Sequence, residues 1–175
     1  MKVNRRFLIV AAAFLSVCAG FLEGCSKKDE ALLTKANALA RTCHEALVSG
    51  DTRKLLDLAD YPFDFRGLVK KVKDEEELKA LIEKNRTAIR QKVQPANKIE
   101  LITYEDFVAG QEFANVKLSK AEAENQARRV ALRPGGILVR CYFFDPDKKK
   151  EDGRSYYLCL HLNSLNELKV TTYYD

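Results

Sequence analysis

Ala46-Leu47-Val48-Ser49-Gly50-Asp51, then Leu55, Leu56 and Leu58, then Tyr61-Pro62-Phe63-Asp64-Phe65, is the stretch on which the fold turns. Gly50 supplies a helix stop, and Asp51 can accept from the first free amides of a second helix. That second helix must end before Tyr61-Pro62, because a proline pushes the residue ahead of it out of the α region. Phe63 and Phe65 alternate with Asp64 and Arg66, the period of a strand. A helix, a tight stop, another helix and a strand in immediate succession point to an α+β domain.

Upstream, Leu32, Ala36, Leu39, Cys43, Ala46 and Leu47 share one face at helical spacing, so a first helix is expected from Asp29 to Val48. Downstream, Asp74 with Glu77 forms a capping signal for a third helix, whose apolar face is Leu78, Leu81, Ile82 and Ile89 and which Pro95 closes. Lys98 to Val108 is rich in β-favouring residues and reads as a strand. Ser119 and Glu122 form a second capping box, which opens a charged helix to about Leu132, stopped by Pro134-Gly135-Gly136. Three strands end the chain: Ile137–Phe144, Tyr156–Leu162 and Glu167–Tyr174, with a turn-rich loop from Asp145 to Ser155. Within that loop Lys148-Lys149-Lys150 is followed by Glu151-Asp152, so the charge nearly cancels, as at a solvated hairpin tip.

The N-terminus reads as an export signal in residues 1–24. Lys2, Arg5 and Arg6 precede an apolar run from Phe7 to Leu22. Leu22-Glu23-Gly24-Cys25 then resembles a lipobox, with Cys25 the lipidated residue, although Glu23 stands where small or apolar residues are usual. Val17-Cys18-Ala19 offers a rival cleavage point and a soluble product. Cys18 offers a poorer second lipobox, and an uncleaved anchor is a third reading, though the run is short for a span of about 20 residues. Asn4 to Ile9 meets a loose twin-arginine pattern. An acylated Cys25 implies membrane attachment through the N-terminal lipid (palmitate among its acyl chains), at about 0.8 kcal/mol per buried methylene. The expected location is the cell envelope, and Ser26 rather than Asp points to the outer membrane in a Gram-negative host. Residues 25–30 are a polar tether and 31–175 one domain.

Removing Met1–Gly24 takes away three basic residues and one acid, so the net charge falls from +5 to +3. That dispersed charge gives no reason to expect nucleic acid. Cys43, Cys141 and Cys159 remain after lipidation, and an odd number cannot all pair within one chain. If the Phe144–Tyr156 hairpin is symmetric, Cys141 faces Cys159 and a cross-strand disulfide is possible, although opposed strand cysteines usually stay thiols because the geometry is demanding. No phosphate loop, serine elbow or zinc spacing is present, since Gly135-Gly136 precedes a strand and the two histidines stand at unrelated spacings from the cysteines. No cofactor or metal is expected.

The stretch Ala46–Asp51, Leu55, Leu58 and Tyr61-Pro62-Phe63, with the element order that follows, resembles the nuclear transport factor 2-like superfamily, the cystatin-like or cone fold. The likeness is architectural and runs over nearly the whole of 31–175, with the Ser119–Leu132 helix as an insertion. It implies N-terminal helices packed on a curved antiparallel sheet that forms a cone with a pocket at its mouth. Members include isomerases, cyclases, dehydratases and non-catalytic binding modules, so fold does not choose function.

Possible pocket residues are His44, Tyr104, Arg140, Tyr142 and His161. His44 borders the apolar helix face, as an edge residue or as a general base. His161 alternates with Leu160 and Leu162, on a face that also holds Asn163 and Lys169 and is expected to be solvated. Arg140 is expected to reach a sheet edge or to bind an anion. An isomerase-like site would need an acid such as Asp60, Asp64 or Asp106 beside Tyr104 or Tyr142. Asp60 reads more simply as a turn residue and Asp64 as solvent-facing. Three readings follow. The first is a non-catalytic envelope lipoprotein that binds an envelope protein or small ligand, drawing on the aromatic last strands (Tyr142, Phe143, Phe144, Tyr156, Tyr157, Tyr173, Tyr174), whose simpler explanation is sheet packing. The second is a small-pocket isomerase- or cyclase-like enzyme, which a cone filled by Leu and Phe would exclude. The third is a tethered domain that self-associates through Glu167–Asp175.

Overall fold

A computed structural model describes residues 30–66, 71–93 and 96–174. The export signal, Cys25, most of the tether and Pro95 lie outside the described residues. The chain divides into two compact units, Met1–Thr34 and Lys35–Asp175. In the first, residues 30–34 begin a helix in which the Thr34 hydroxyl donates to the Glu30 carbonyl (2.9 Å). The second unit holds everything below.

Helix α1, residues 35–49 in this unit, ends at Gly50, whose φ of +74° no β-carbon needs to resist. Asp51 accepts from the Lys54 amide and opens α2 (Thr52–Leu58), which passes without a loop into β1 (Ala59–Arg66). After β2 (Lys71–Val72), Asp74 accepts from the Glu77 amide at the head of α3 (Glu75–Lys92). Strand β3 is shorter than expected, Lys98–Thr103. Thr103 accepts from the Asp106 amide, and the chain turns into helix α4 (Tyr104–Val108). The β-favouring run had masked a Thr-x-x-Asp cap. Helix α5 (Lys120–Arg129) opens on the expected Ser119–Glu122 capping box. Strands β4 (Ile137–Asp145), β5 (Lys150–Leu162) and β6 (Leu168–Tyr174) complete the chain. Strand β5 begins six residues before Tyr156, because the hairpin turn needs only residues 146–149 and the charged residues beyond it pair with β4.

The strands form one sheet in the order β2-β1-β6-β5-β4-β3. Four of its five pairings are antiparallel, and β1 runs parallel to β6. Pro62 falls in the irregular stretch between the pairings Ala59–Val170 and Asp64–Thr172, where its missing N–H breaks no ladder bond. Further register shifts lie between Cys141 and Phe143 and between Cys159 and Leu160, and such bulges bend and twist a sheet. Strand β6 lies inside the sheet, so Glu167–Asp175 does not offer the free edge that self-association would need; β2 and β3 are the edges.

Both faces of the sheet are covered. On one, Phe63, Phe65, Leu158, Val170 and Tyr173 pack against Cys43, Leu47, Leu55, Leu78 and Ile82 of α1–α3, leaving a void of only about 20 Å³. On the other, Leu138 and Cys159 pack with Ile102, Phe107, Phe113 and the Ala123, Ala127, Val130 stripe of α5. The alanines are wholly buried, and their small side chains let the helix lie close. The inserted helix thus closes a second core on the outer face. This explains why Ile137–Cys141 and Leu158–His161 are buried without alternation.

Candidate functional site

Of the five residues singled out by sequence, the structure brings together only Arg140 and Tyr142. Neighbouring β3 and β5 place two carboxylates beside them. Arg140 is buried rather than at an edge, 6 % exposed. Its Nη1 donates to Glu100 (3.3 Å) and to Glu151 (3.1 Å), its Nη2 makes a further short bond to Glu151, and its guanidinium lies 4.5 Å over the Tyr142 ring. The Tyr142 hydroxyl donates to Glu100 (3.1 Å). Burial first, and the Glu100 carboxylate second, push that phenol above its ordinary value. Arg140 Nε is buried without a hydrogen-bond partner. With both carboxylates already bound to it, this arginine is committed to holding three strands together.

His161 is 6 % exposed, not solvated, because the turn before β4 rests on its ring. Its Nε2 accepts from the Arg133 amide (3.1 Å), so the neutral ring carries its proton on Nδ1, which donates to Thr171 Oγ1 (2.8 Å); that hydroxyl donates to the Cys159 carbonyl (3.2 Å). A β-carbon on Gly136 would stand 2.3 Å from His161 Nε2, so only glycine lets the turn rest on the ring. Burial first, and the Arg133 charge second, hold the imidazole down to about 4.

His44 serves the opposite face in the same way. Its Nε2 accepts from the Ala96 amide (3.1 Å) and its Nδ1 meets the Tyr156 hydroxyl at 2.6 Å. Burial lowers its pKa. Both histidines are spent on loop amides and hydroxyls, and neither lines the space on its side of the sheet. Tyr104 begins α4 and packs on the outer core. Asp106 accepts from Thr103 and Gln111. Asp64 is buried rather than solvent-facing and pairs with Arg66 at 2.8 Å, while Asp60 is half-buried at the start of β1.

Cys141 and Cys159 do not oppose each other as a symmetric hairpin would have placed them, and both stay thiols. The bulge shifts the hairpin so that Cys141 faces Tyr156 and Cys159 faces Leu138. Cys43, Cys141 and Cys159 are free and buried, and burial pushes their thiols up to about 12, 11 and 12, far from a reactive thiolate. Among the described residues no cluster of His, Cys, Asp or Glu is placed to hold a metal.

Sequence reasoning missed a large space, a cavity of about 530 Å³ between α5, the 113–118 loop and the outer face of the sheet. Its wall is Phe107, Phe113, Leu118, Val130, Leu138 and Tyr157. Aromatic rings run along it in sequence: Phe107 to Phe113 edge-on at 6.2 Å, Phe113 to Tyr157 at 6.5 Å, Tyr157 to Tyr174 at 6.2 Å. One turn after another of α5 supplies Glu122, Asn125, Gln126 and Arg129. The volume is that of a small-molecule site, and the mix of an apolar wall with few polar groups is usual for one. The sole acid lining it, Glu122, caps its own helix through Ser119, whose bonds hold that carboxyl below its ordinary value. A helix whose buried stripe is Ala, Ala and Val was the available signal that a second core, and a gap beside it, would form.

No protein-family model matches the sequence, and no curated protein matches it. Among solved structures the chain is similar to a calcium/calmodulin-dependent protein kinase II association domain from Xanthomonas campestris, at 10 % identity and a TM-score of 0.38 over 80 % of this chain and 83 % of that one. It is also similar to a ketosteroid isomerase from Parabacteroides distasonis, at 16 % identity and a TM-score of 0.35 over 79 % of this chain and 81 % of that one. Likenesses that weak decide neither fold nor chemistry, which rest on the chain's own geometry: an α+β domain with helices on both faces of a largely antiparallel sheet.

Proposed function

We propose that this chain is an envelope lipoprotein, tethered through Cys25, whose domain binds a small and largely apolar molecule without transforming it. The observation that carries the binding reading is the contrast between the two faces of the sheet. The space against α1–α3 is filled to about 20 Å³ by Leu, Ile and Phe, whereas the space under α5 is about 530 Å³ and lined by aromatic rings. Against an isomerase-like or cyclase-like reaction, both histidines and Asp64, Asp106 and Glu122 are held by neighbours away from any shared substrate position. A proton-transfer site needs a base within reach of the atom it deprotonates.

The anchoring reading rests on Lys2, Arg5, Arg6, the run to Leu22, and Leu22-Glu23-Gly24-Cys25. Ser26 favours the outer membrane in a Gram-negative host. Made in a lipoprotein-competent host, the protein is expected to sediment with membranes and to carry acyl mass on Cys25, and Cys25→Ser is expected to lose both. A soluble wild type that begins at Gly20 would refute this reading.

For binding, the neutral fluorophore N-phenyl-1-naphthylamine is expected to titrate to one saturable site. Leu118→Trp, which places a larger ring on the cavity wall at a half-buried loop position, is expected to weaken it at least about tenfold, the loss of about 1.4 kcal/mol. A folded Leu118→Trp protein, checked by circular dichroism, that binds as well as wild type would exclude this cavity.

A further inference from the structure

We infer that the occupant of this cavity carries a single anionic head, a carboxylate or phosphate monoester on an apolar body, with the head held at the mouth by Arg129; this rests on the cavity being the binding site. Only Glu122 and Arg129 among the lining side chains are charged. They stand two turns apart on α5 and differ in what occupies them. The Glu122 carboxylate is taken by the Ser119 hydroxyl and amide (2.6 and 2.9 Å). The Arg129 guanidinium makes no ion pair or hydrogen bond with any described residue, although an unpaired exposed arginine alone would signify little.

Its surroundings give it meaning. Between the two charges the mouth is lined by the side-chain amides of Asn125 and Gln126. The Asn125 carbonyl oxygen accepts from Arg128 (2.6 Å), which leaves its N–H groups for a ligand. Arg66, neutralised by Asp64 at 2.8 Å, donates to the Arg129 carbonyl and so takes up one of the carbonyls exposed at the C-terminal end of α5. The mouth therefore presents a guanidinium and amide donors, with its one carboxylate already occupied. A guanidinium matches a carboxylate or phosphate in fork geometry. The aromatic wall behind it fits an apolar body and offers no second charge to pair with.

Isothermal titration of the acylated or Cys25→Ser full chain with dodecanoate, dodecyl phosphate and dodecanol tests this. One or both anions are expected to bind at least about tenfold tighter than dodecanol, and the tighter of the two identifies a free fatty acid or a phospholipid fragment as the source of the head. Arg129→Gln, a surface change in the last turn of α5, is expected to erase that preference while dodecanol binds as before. If all three bind alike, or if Arg129→Gln keeps the preference, the head assignment is overturned and the cavity reading stands. If none binds, the cavity reading falls with it.

Discussion

Arg140→Met is expected to destabilise the domain by about 3 kcal/mol, the low end of the loss seen when one partner of a buried ion pair is removed. Methionine matches the aliphatic stem but leaves Glu100 and Glu151 facing each other without a cation. The low end is chosen because each carboxylate side chain keeps 34 % of its exposure and can draw on water. The partners come from β3 and β5, so the change unties three strands at once. In that background Glu151→Gln is expected to recover about 1 kcal/mol or more by removing the like-charge contact. Urea unfolding measures both. A loss under about 1 kcal/mol for Arg140→Met would mean that the cluster is solvated and structurally idle.

Stability is expected to fall between pH 6.5 and about 4 through His161. The ring is neutral in the fold and held down to about 4, whereas in the unfolded chain it titrates near 6.5. Above 6.5 neither state binds the proton and the full contribution is present. As the pH drops through the window, the unfolded state takes up a proton that the folded state refuses, so stability declines by about 2 to 3 kcal/mol. Protonation would also strip Nε2 of the lone pair that accepts the Arg133 amide. His44 is shifted in the same direction and adds to the slope. Between pH 5 and 6.5 ordinary carboxylates remain ionised, so the histidines dominate there. His161→Gln is expected to flatten most of the slope in urea melts across that window; a slope unchanged in the variant would place the His161 ring in water.

The helix caps were legible because they are local. Asp51, Asp74 and Ser119 each sit one residue before a helix and accept from an amide three residues on. Thr103–Asp106 carries the same chemistry and was hidden by the β-favouring residues around it. Strand pairing was less legible, because register depends on bulges that composition does not announce. The irregularity at Cys141–Phe143 gave Cys141 to Tyr156 instead of Cys159. His161, expected on a solvated face, is covered by the 133–136 turn, and Arg140, expected at an edge or on an anion, is held inside by carboxylates from β3 and β5; both covers are tertiary and have no local signal. The cavity has no motif. It is a gap between Phe113, Leu138, Tyr157 and a helix that approaches on alanines, and it exists only once those elements are packed.

The proposed binding site is the space beneath α5 and not the filled interior against α1–α3. Titration of isotopically labelled protein with dodecanoate, followed by amide chemical shifts in a nuclear magnetic resonance spectrum, addresses it directly. Saturating shifts at Val116, Gln126, Leu138 and Tyr157, with Leu47, Phe63 and Ile82 unmoved, are the predicted result. Shifts centred on Leu47, Phe63 and Ile82, or none at either place, would contradict it.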